Sequence, residues 1–129
     1  MKVIITDPLS EEGVAVLAKH AQVDQKIGLS QEQLVEIIGD YDALVVRSGT
    51  RVTAPIIKAG KKLKVIGRAG VGVDNIDVEQ ATRQGIIVIN APQGNTISAA
   101  EHAIAMLTSL ARNIPEANAY LKSGKWERS

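Results

Sequence analysis

A chain of 129 residues has the length of one domain, and its 45% hydrophobic and 22% charged residues suffice for a core and a solvated surface. A net charge of +1, from 15 basic and 14 acidic residues, removes the electrostatic case for nucleic acid or an anionic membrane. Aromatics at 2% with no Phe leave no stacking platform for bases, and zero cysteines exclude disulfides, thiol catalysis and cysteine metal sites while fitting a reducing, cytoplasmic setting.

No apolar run reaches the roughly 18 residues of a membrane span. The segment Met1–Asp7 is too short and too soon acidic for a signal peptide. Lys2–Thr6 reads as a strand, and its continuous Val3-Ile4-Ile5 predicts a parallel strand covered on both faces. Ser10 caps a helix with Glu11 and Glu12 in its first turn and Val14, Leu17 and Ala18 as its stripe. Gln22–Ile27 is a second strand, placed at a sheet edge by its polar residues. Ser30-Gln31-Glu32-Gln33 is a capping box that opens a helix with Leu34, Ile37 and Ile38 inward and Gly39 as its stop.

Ala43–Val46 is the third strand and runs into Arg47-Ser48-Gly49-Thr50. Thr53-Ala54-Pro55 starts a short helix that Gly60 ends. The fourth strand, Lys64–Gly67, leads into Arg68-Ala69-Gly70-Val71-Gly72, and Asp77 with Gln80 caps a helix running to Gly85. Ile86–Ile89 is the fifth strand. A longer helical pattern opens at the capping box Ser98-Ala99-Ala100-Glu101, with Ile97, Ile104, Leu107 and Ala111 at helical spacing. Asn113-Ile114-Pro115-Glu116 restarts a helix that Gly124 terminates, and the tail Lys122–Ser129 reads as cut rather than finished.

Five alternations of strand and helix predict an α/β fold: a flavodoxin-like, doubly wound parallel five-stranded sheet of order 2-1-3-4-5 with helices on both faces. Residues 1–129 form a single domain on this reading, with 1–95 as the sheet core and 96–129 as a helical segment. The pattern over Ile97–Arg112 is apolar nearly all round, so this helix is either a core helix of the domain or a surface for another domain or subunit.

Ligands of such sheets bind at the carboxyl ends of the strands. The loops there carry Asp7, Arg47 to Thr50, Arg68 to Gly72 and Asn90 to Thr96. Arg47 and Arg68, ending neighbouring strands, offer paired guanidinium forks for a phosphate or carboxylate, with Ser48, Thr50 and the glycine-turn amides as neutral donors. The plainer alternative pairs each arginine with a surface carboxylate.

Gly67-Arg68-Ala69-Gly70-Val71-Gly72 follows a strand and precedes a helix, yet it is a poor dinucleotide fingerprint. Counting from Gly70, the third glycine falls on Asn75. His20 ends a helix and His102 sits in the first turn of another, places that require no catalytic role. No H-E-x-x-H, G-x-S-x-G or P-loop string occurs.

Three strings carry a resemblance: Val45-Val46-Arg47-Ser48-Gly49-Thr50, Gly67 through Asp77, and Asn90-Ala91-Pro92-Gln93-Gly94-Asn95-Thr96. Together with Ser98-Ala99-Ala100-Glu101-His102 and Gly124-Lys125-Trp126, they resemble the D-2-hydroxyacid dehydrogenase family in its branch acting on 3-phosphoglycerate at the entry to serine biosynthesis. The resemblance implies a substrate-binding domain whose cleft faces a separate Rossmann domain that binds NAD. It implies that Arg47 and Arg68 hold the phosphate, with Ser48 beside them. The amides around Ala69, Gly70, Val71 and Gly72 would take the carboxylate, and Asn95 would lie near the reacting centre. The family's G-x-G-x-x-G fingerprint, catalytic histidine and its carboxylate have no counterpart among these residues. The expectation is therefore an isolated substrate-binding half, without a cofactor site or catalytic residue of its own and inactive alone. The helix 97–112 would cross to the Rossmann domain or pair with a second copy in a homodimer.

Competing classes fit less well. A signalling receiver needs an Asp ending the third strand and a Lys ending the fifth, where Arg47 and Asn90 stand. A flavodoxin needs a hydroxyl-rich loop where Asp7-Pro8-Leu9-Ser10 stands. A folded scaffold that binds no ligand remains the alternative.

Overall fold

Five strands of four residues each lie parallel in the order 2-1-3-4-5: β1 (Lys2–Ile5), β2 (Gln22–Gln25), β3 (Ala43–Val46), β4 (Val65–Arg68) and β5 (Ile87–Asn90). This computed structural model describes residues 1–126. The helices are α1 (Glu11–Ala18), α2 (Gln31–Ile37), α3 (Ala54–Ala59), α4 (Val78–Arg83), α5 (Thr96–Ala111) and α6 (Ile114–Lys122). The chain divides into two compact units, Met1–Gly94 and Asn95–Ser129.

In the first unit, side chains alternate between the sheet's two faces. Ile4, Leu44 and Ile66 point to one face and are fully buried with Leu34 and Ile38 from the α2 segment, Ile56 and Ile57 of α3, and Ala81 of α4. Val3, Ile5 and Ala43 on the other face are also buried, and a right-handed crossover puts α1 on that side. Toward β5 that second face opens. Val45 and Val65 are half-buried, and Ile87 and Ile89 are exposed.

Local chemistry sets the element ends. Ser10 Oγ accepts from Gly13 N at the start of α1. The Ser30–Gln33 capping box forms in both directions. Asp77 Oδ1 accepts from Gln80 N at 2.9 Å, and Gly85 ends the α4 segment at a φ of +69°, which only glycine adopts without strain.

Several sequence expectations shift. Gly39 does not stop α2; it lies within a 3-10 turn, Ile38–Asp40, where an added Cβ would sit 3.2 Å from the Ala59 carbonyl. β2 ends at Gln25, two residues early, because Lys26 N is the last amide of this stretch to bond into β1, to Ile5 O.

In the second unit, α5 begins at Thr96, and Ser98 Oγ donates to Asn95 O instead of forming a capping box. His102 consequently falls in the second turn of α5, not the first. α5 and α6 meet through Asn113, whose φ of 49° is left-handed. None of the 16 residues of α5 is buried; Leu110 is 79% and Ile97 75% exposed. The tail reading extends over residues 127–129, which lie outside the described residues. Among the described residues, no helix is long and apolar enough to cross a membrane.

Candidate functional site

The carboxyl rim of the sheet carries both arginines. Register places Arg68, the last residue of β4, opposite Val46, which immediately precedes Arg47, so the two leave adjacent strands at one rim. Neither forms an ion pair among the described residues, so the alternative of a surface carboxylate partner is not realised there. Arg47 is exposed, and its guanidinium donates to the Pro8 carbonyl at 3.3 Å. Arg68 is half-buried, and its Nε is buried with no partner. A buried unpaired donor on a charged group is costly and suits an anion arriving from outside.

Arg68 lies against Gly70. A Cβ at Gly70 would fall 1.9 Å from Arg68 Nη1 and 2.7 Å from Cζ, so the glycine makes room for the guanidinium. The turn is tied down on its far side: Asn90 Nδ2 donates to Val71 O at 2.6 Å, and Ala91 N to Gly70 O at 3.0 Å. Of the four amides singled out in the sequence, two are spent within the protein: Ala69 N donates to Val46 O and Gly70 N to Arg68 O, each at 2.8 Å. Among the described residues, the Val71 and Gly72 N–H groups have no protein acceptor.

The loop after β3 is shaped by Asp7, a buried carboxylate two residues past the end of β1. Its oxygens accept from Arg47 N at 2.6 Å, Thr50 N at 3.0 Å and Thr50 Oγ1 at 2.8 Å. Burial pushes the Asp7 carboxyl up, but the bonds from Thr50 and Arg47 outweigh it and hold the carboxyl below its ordinary value. Gly49 passes so close that a Cβ there would meet Asp7 Oδ1 at 2.8 Å. Ser48 is exposed at the tip of this loop. Thr50 Oγ1 also lies 2.9 Å from Thr6 Oγ1.

Asp7 and Asn75 are the residues that reading the sequence left without a role. Asp7 was visible only as a strand-end acid, and Asn75 only as the residue where a third glycine is missing. In the structure Asn75 Nδ2 donates to both Arg47 O and Thr50 O, each at 2.7 Å. A carboxylate ending a buried parallel strand was the signal for the first; nothing local in the sequence marks the second.

Asn95 opens the second unit. Its carbonyl accepts from Ala99 N and Ser98 Oγ, and its side chain makes no cap bond. A separate cleft of about 430 Å³ lies beside Thr6, Asp7, Gly28, Ser30, Thr50 and Arg51, and neither Arg47 nor Arg68 lines it. The chemistry of the two rim arginines therefore belongs to an open surface, not to that cleft.

The glycine turn differs from a dinucleotide-binding turn in three features. Two of its amides are already engaged, and position 75 is filled by a bonded side chain. The following helix N-terminus, α4, is capped by the Asp77 carboxylate, which occupies the place a pyrophosphate would take and would repel it. Among the described residues, no group of three His, Cys, Asp or Glu side chains could hold a metal ion.

The chain is 58% identical over 98% of its length to D-3-phosphoglycerate dehydrogenase of Synechocystis, of which it covers 23%. It resembles the PH0520 protein of Pyrococcus horikoshii, with a TM-score of 0.87 and 31% identity over 98% of this chain and 38% of that one. An NAD+-bound 3-phosphoglycerate dehydrogenase of Entamoeba histolytica matches with a TM-score of 0.73 and 36% identity over 84% of this chain and 38% of that one. The chain spans about a quarter of the length of the curated relatives it matches. Residues 3–123 match the catalytic domain of the D-isomer specific 2-hydroxyacid dehydrogenases, and the chain belongs to that family.

Proposed function

We propose that this chain is the substrate-binding part of an NAD-dependent D-3-phosphoglycerate dehydrogenase. Arg47 and Arg68 receive the phosphate of 3-phosphoglycerate, with Ser48 as a neutral donor. The amides of Val71 and Gly72 receive the carboxylate, held in register by Ala69 and Gly70, whose own amides brace the turn. Asn95 lies toward the reacting carbon on this reading. The hydride acceptor NAD and the general base belong to a separate Rossmann domain, so the chain alone binds substrate and does not turn it over. Its setting is the cytoplasm, and a second copy meets it through helix 97–112.

The observation that carries this reading is the pair of arginines at adjacent strand ends with no carboxylate partner, one of them with a buried Nε left unbonded. Each charge-assisted hydrogen bond to an anion contributes about 1.5–3 kcal/mol. Calorimetric titration of 3-phosphoglycerate into wild type and Arg68→Ala tests it. The expected outcome is a fall in affinity of about ten- to a hundredfold in the variant. Equal heats in both proteins, or none in the wild type, would leave a folded scaffold that binds no ligand.

A further inference from the structure

Arg47 and Thr50 are each held by two side chains. The N–H of each donates to Asp7 from the β1 side, and the carbonyl of each accepts from Asn75 on the other. Both amide hydrogens of Asn75 are thereby used. Its Oδ1 is buried and bonds to nothing. Because both partners are carbonyl acceptors, the amide can only face them with its nitrogen, so the orientation is dictated by chemistry.

Asn75 belongs to the segment that leaves β4 through the glycine turn. Its own carbonyl accepts from Val52 N at 2.8 Å, Asp77 N donates to Val52 O at 2.9 Å, and Val52 and Ile76 form an isolated parallel bridge. The loop after β3 and the segment after β4 are therefore joined by main chain at Val52 and by one side chain at Arg47 and Thr50.

We propose that Asn75 is a positioning residue that fixes the Arg47–Thr50 loop against the segment carrying Arg68–Gly72, so that both halves of the anion site are presented together. The inference rests on the reading of Arg47 and Arg68 as the anion site. The residue type follows from geometry. Two carbonyls side by side need two donors on one short, uncharged side chain, and a carboxamide supplies them. Aspartate at this position supplies none when ionised, serine one, and alanine none. The buried Oδ1 carries the cost of an unmade hydrogen bond, and the two bonds from Nδ2 offset it.

The test compares wild type, Asn75→Ala and Asn75→Asp by amide hydrogen exchange without ligand and by titration with 3-phosphoglycerate. In Asn75→Ala, exchange at Arg47 and Thr50 should quicken about tenfold or more while Ile5 and Ile66 in the strands hold their rates. Affinity should fall about tenfold in the same variant. A purely structural role would instead raise exchange across the sheet and leave the affinity of the folded fraction unchanged.

Asn75→Asp keeps the shape and decides the matter should the alanine variant not fold. Its exchange at Arg47 and Thr50, taken as a ratio to wild type, should be raised near pH 7 and fall toward pH 4, as protonation returns one donor. Asp7, Asp74, Asp77, Arg47 and Arg51 stand near this position in both proteins, and the ratio to wild type removes the effect they share. Unchanged exchange at Arg47 and Thr50, or quickened exchange with unchanged affinity, would overturn the proposal. If the wild type itself does not bind 3-phosphoglycerate, the functional reading fails, and the exchange rates alone judge the tie between the loops.

Discussion

Arg68 and Gly70 form a unit in which the absence of a side chain matters as much as the presence of one. A methyl at position 70 would overlap the guanidinium, but the guanidinium is the free end of a flexible side chain and can swing away. Gly70→Ala should therefore leave the unfolding free energy in urea within about 0.5 kcal/mol of wild type while weakening 3-phosphoglycerate binding severalfold; a large loss of stability with intact binding would contradict this account. Asp7 has the opposite profile. It is buried and bonds three donors, so Asp7→Ala should cost about 2–3 kcal/mol. The pH dependence has a definite sign. The folded pKa is depressed below the ordinary 3.8, so the contribution is fully present above that value and disappears as pH falls through the lower folded value. The stability difference between wild type and Asp7→Asn should thus be constant from neutral pH down to about pH 5 and shrink below pH 4. A difference that grows on acidification would mean the carboxylate is not held charged by the loop.

At the scale of elements, the sheet has one finished face and one that is open toward β5. Ile66 is fully buried under the helices, and Ile66→Ala should cost about 3 kcal/mol in chemical denaturation. Ile89 on the open side is 55% exposed, and Ile89→Ser should change stability by under about 0.5 kcal/mol. Equal costs at the two positions would show that something in the chain covers the open face. Strand order and the positions of all five strands were legible in the sequence because a parallel sheet buried by crossovers requires continuous Val/Ile runs, as in Val3-Ile4-Ile5 and Ala43-Leu44-Val45-Val46. The caps at Ser10, Ser30 and Asp77 were legible because each needs only a short polar side chain and a free amide three residues on. The capping box at Ser98 failed by the same rule: with Asn95 already outside the helix, Ser98 lies inside it and turns its hydroxyl back to a carbonyl. Arg47 and Arg68 stood out because charge at a strand end is conspicuous. Asp7 is an equally visible strand-end charge, but its partners and those of Asn75 lie some 25 to 43 residues away, and composition carries no trace of such contacts.

For the whole molecule, the proposed phosphate ligands Arg47 and Arg68 lie in residues 1–94, and the largest run of exposed apolar helix lies in residues 95–129. Residues 95–129 expose Ile97, Ile104, Leu107 and Leu110 on α5, an amount of apolar surface that association would hide. Light scattering on the chain should give the mass of a dimer, and a monodisperse monomer across concentrations would count against that assignment. The central proposal concerns the other unit: a sheet rim that receives a phosphorylated hydroxy acid. Amide proton–nitrogen NMR spectra of the labelled chain, alone, with 3-phosphoglycerate and then with NADH, test it most directly. The account predicts dispersed peaks, shifts confined to Arg47–Thr50 and Arg68–Gly72 with 3-phosphoglycerate, and no response to NADH. A dispersed spectrum indifferent to 3-phosphoglycerate, or one in which NADH moves the glycine turn, would contradict it.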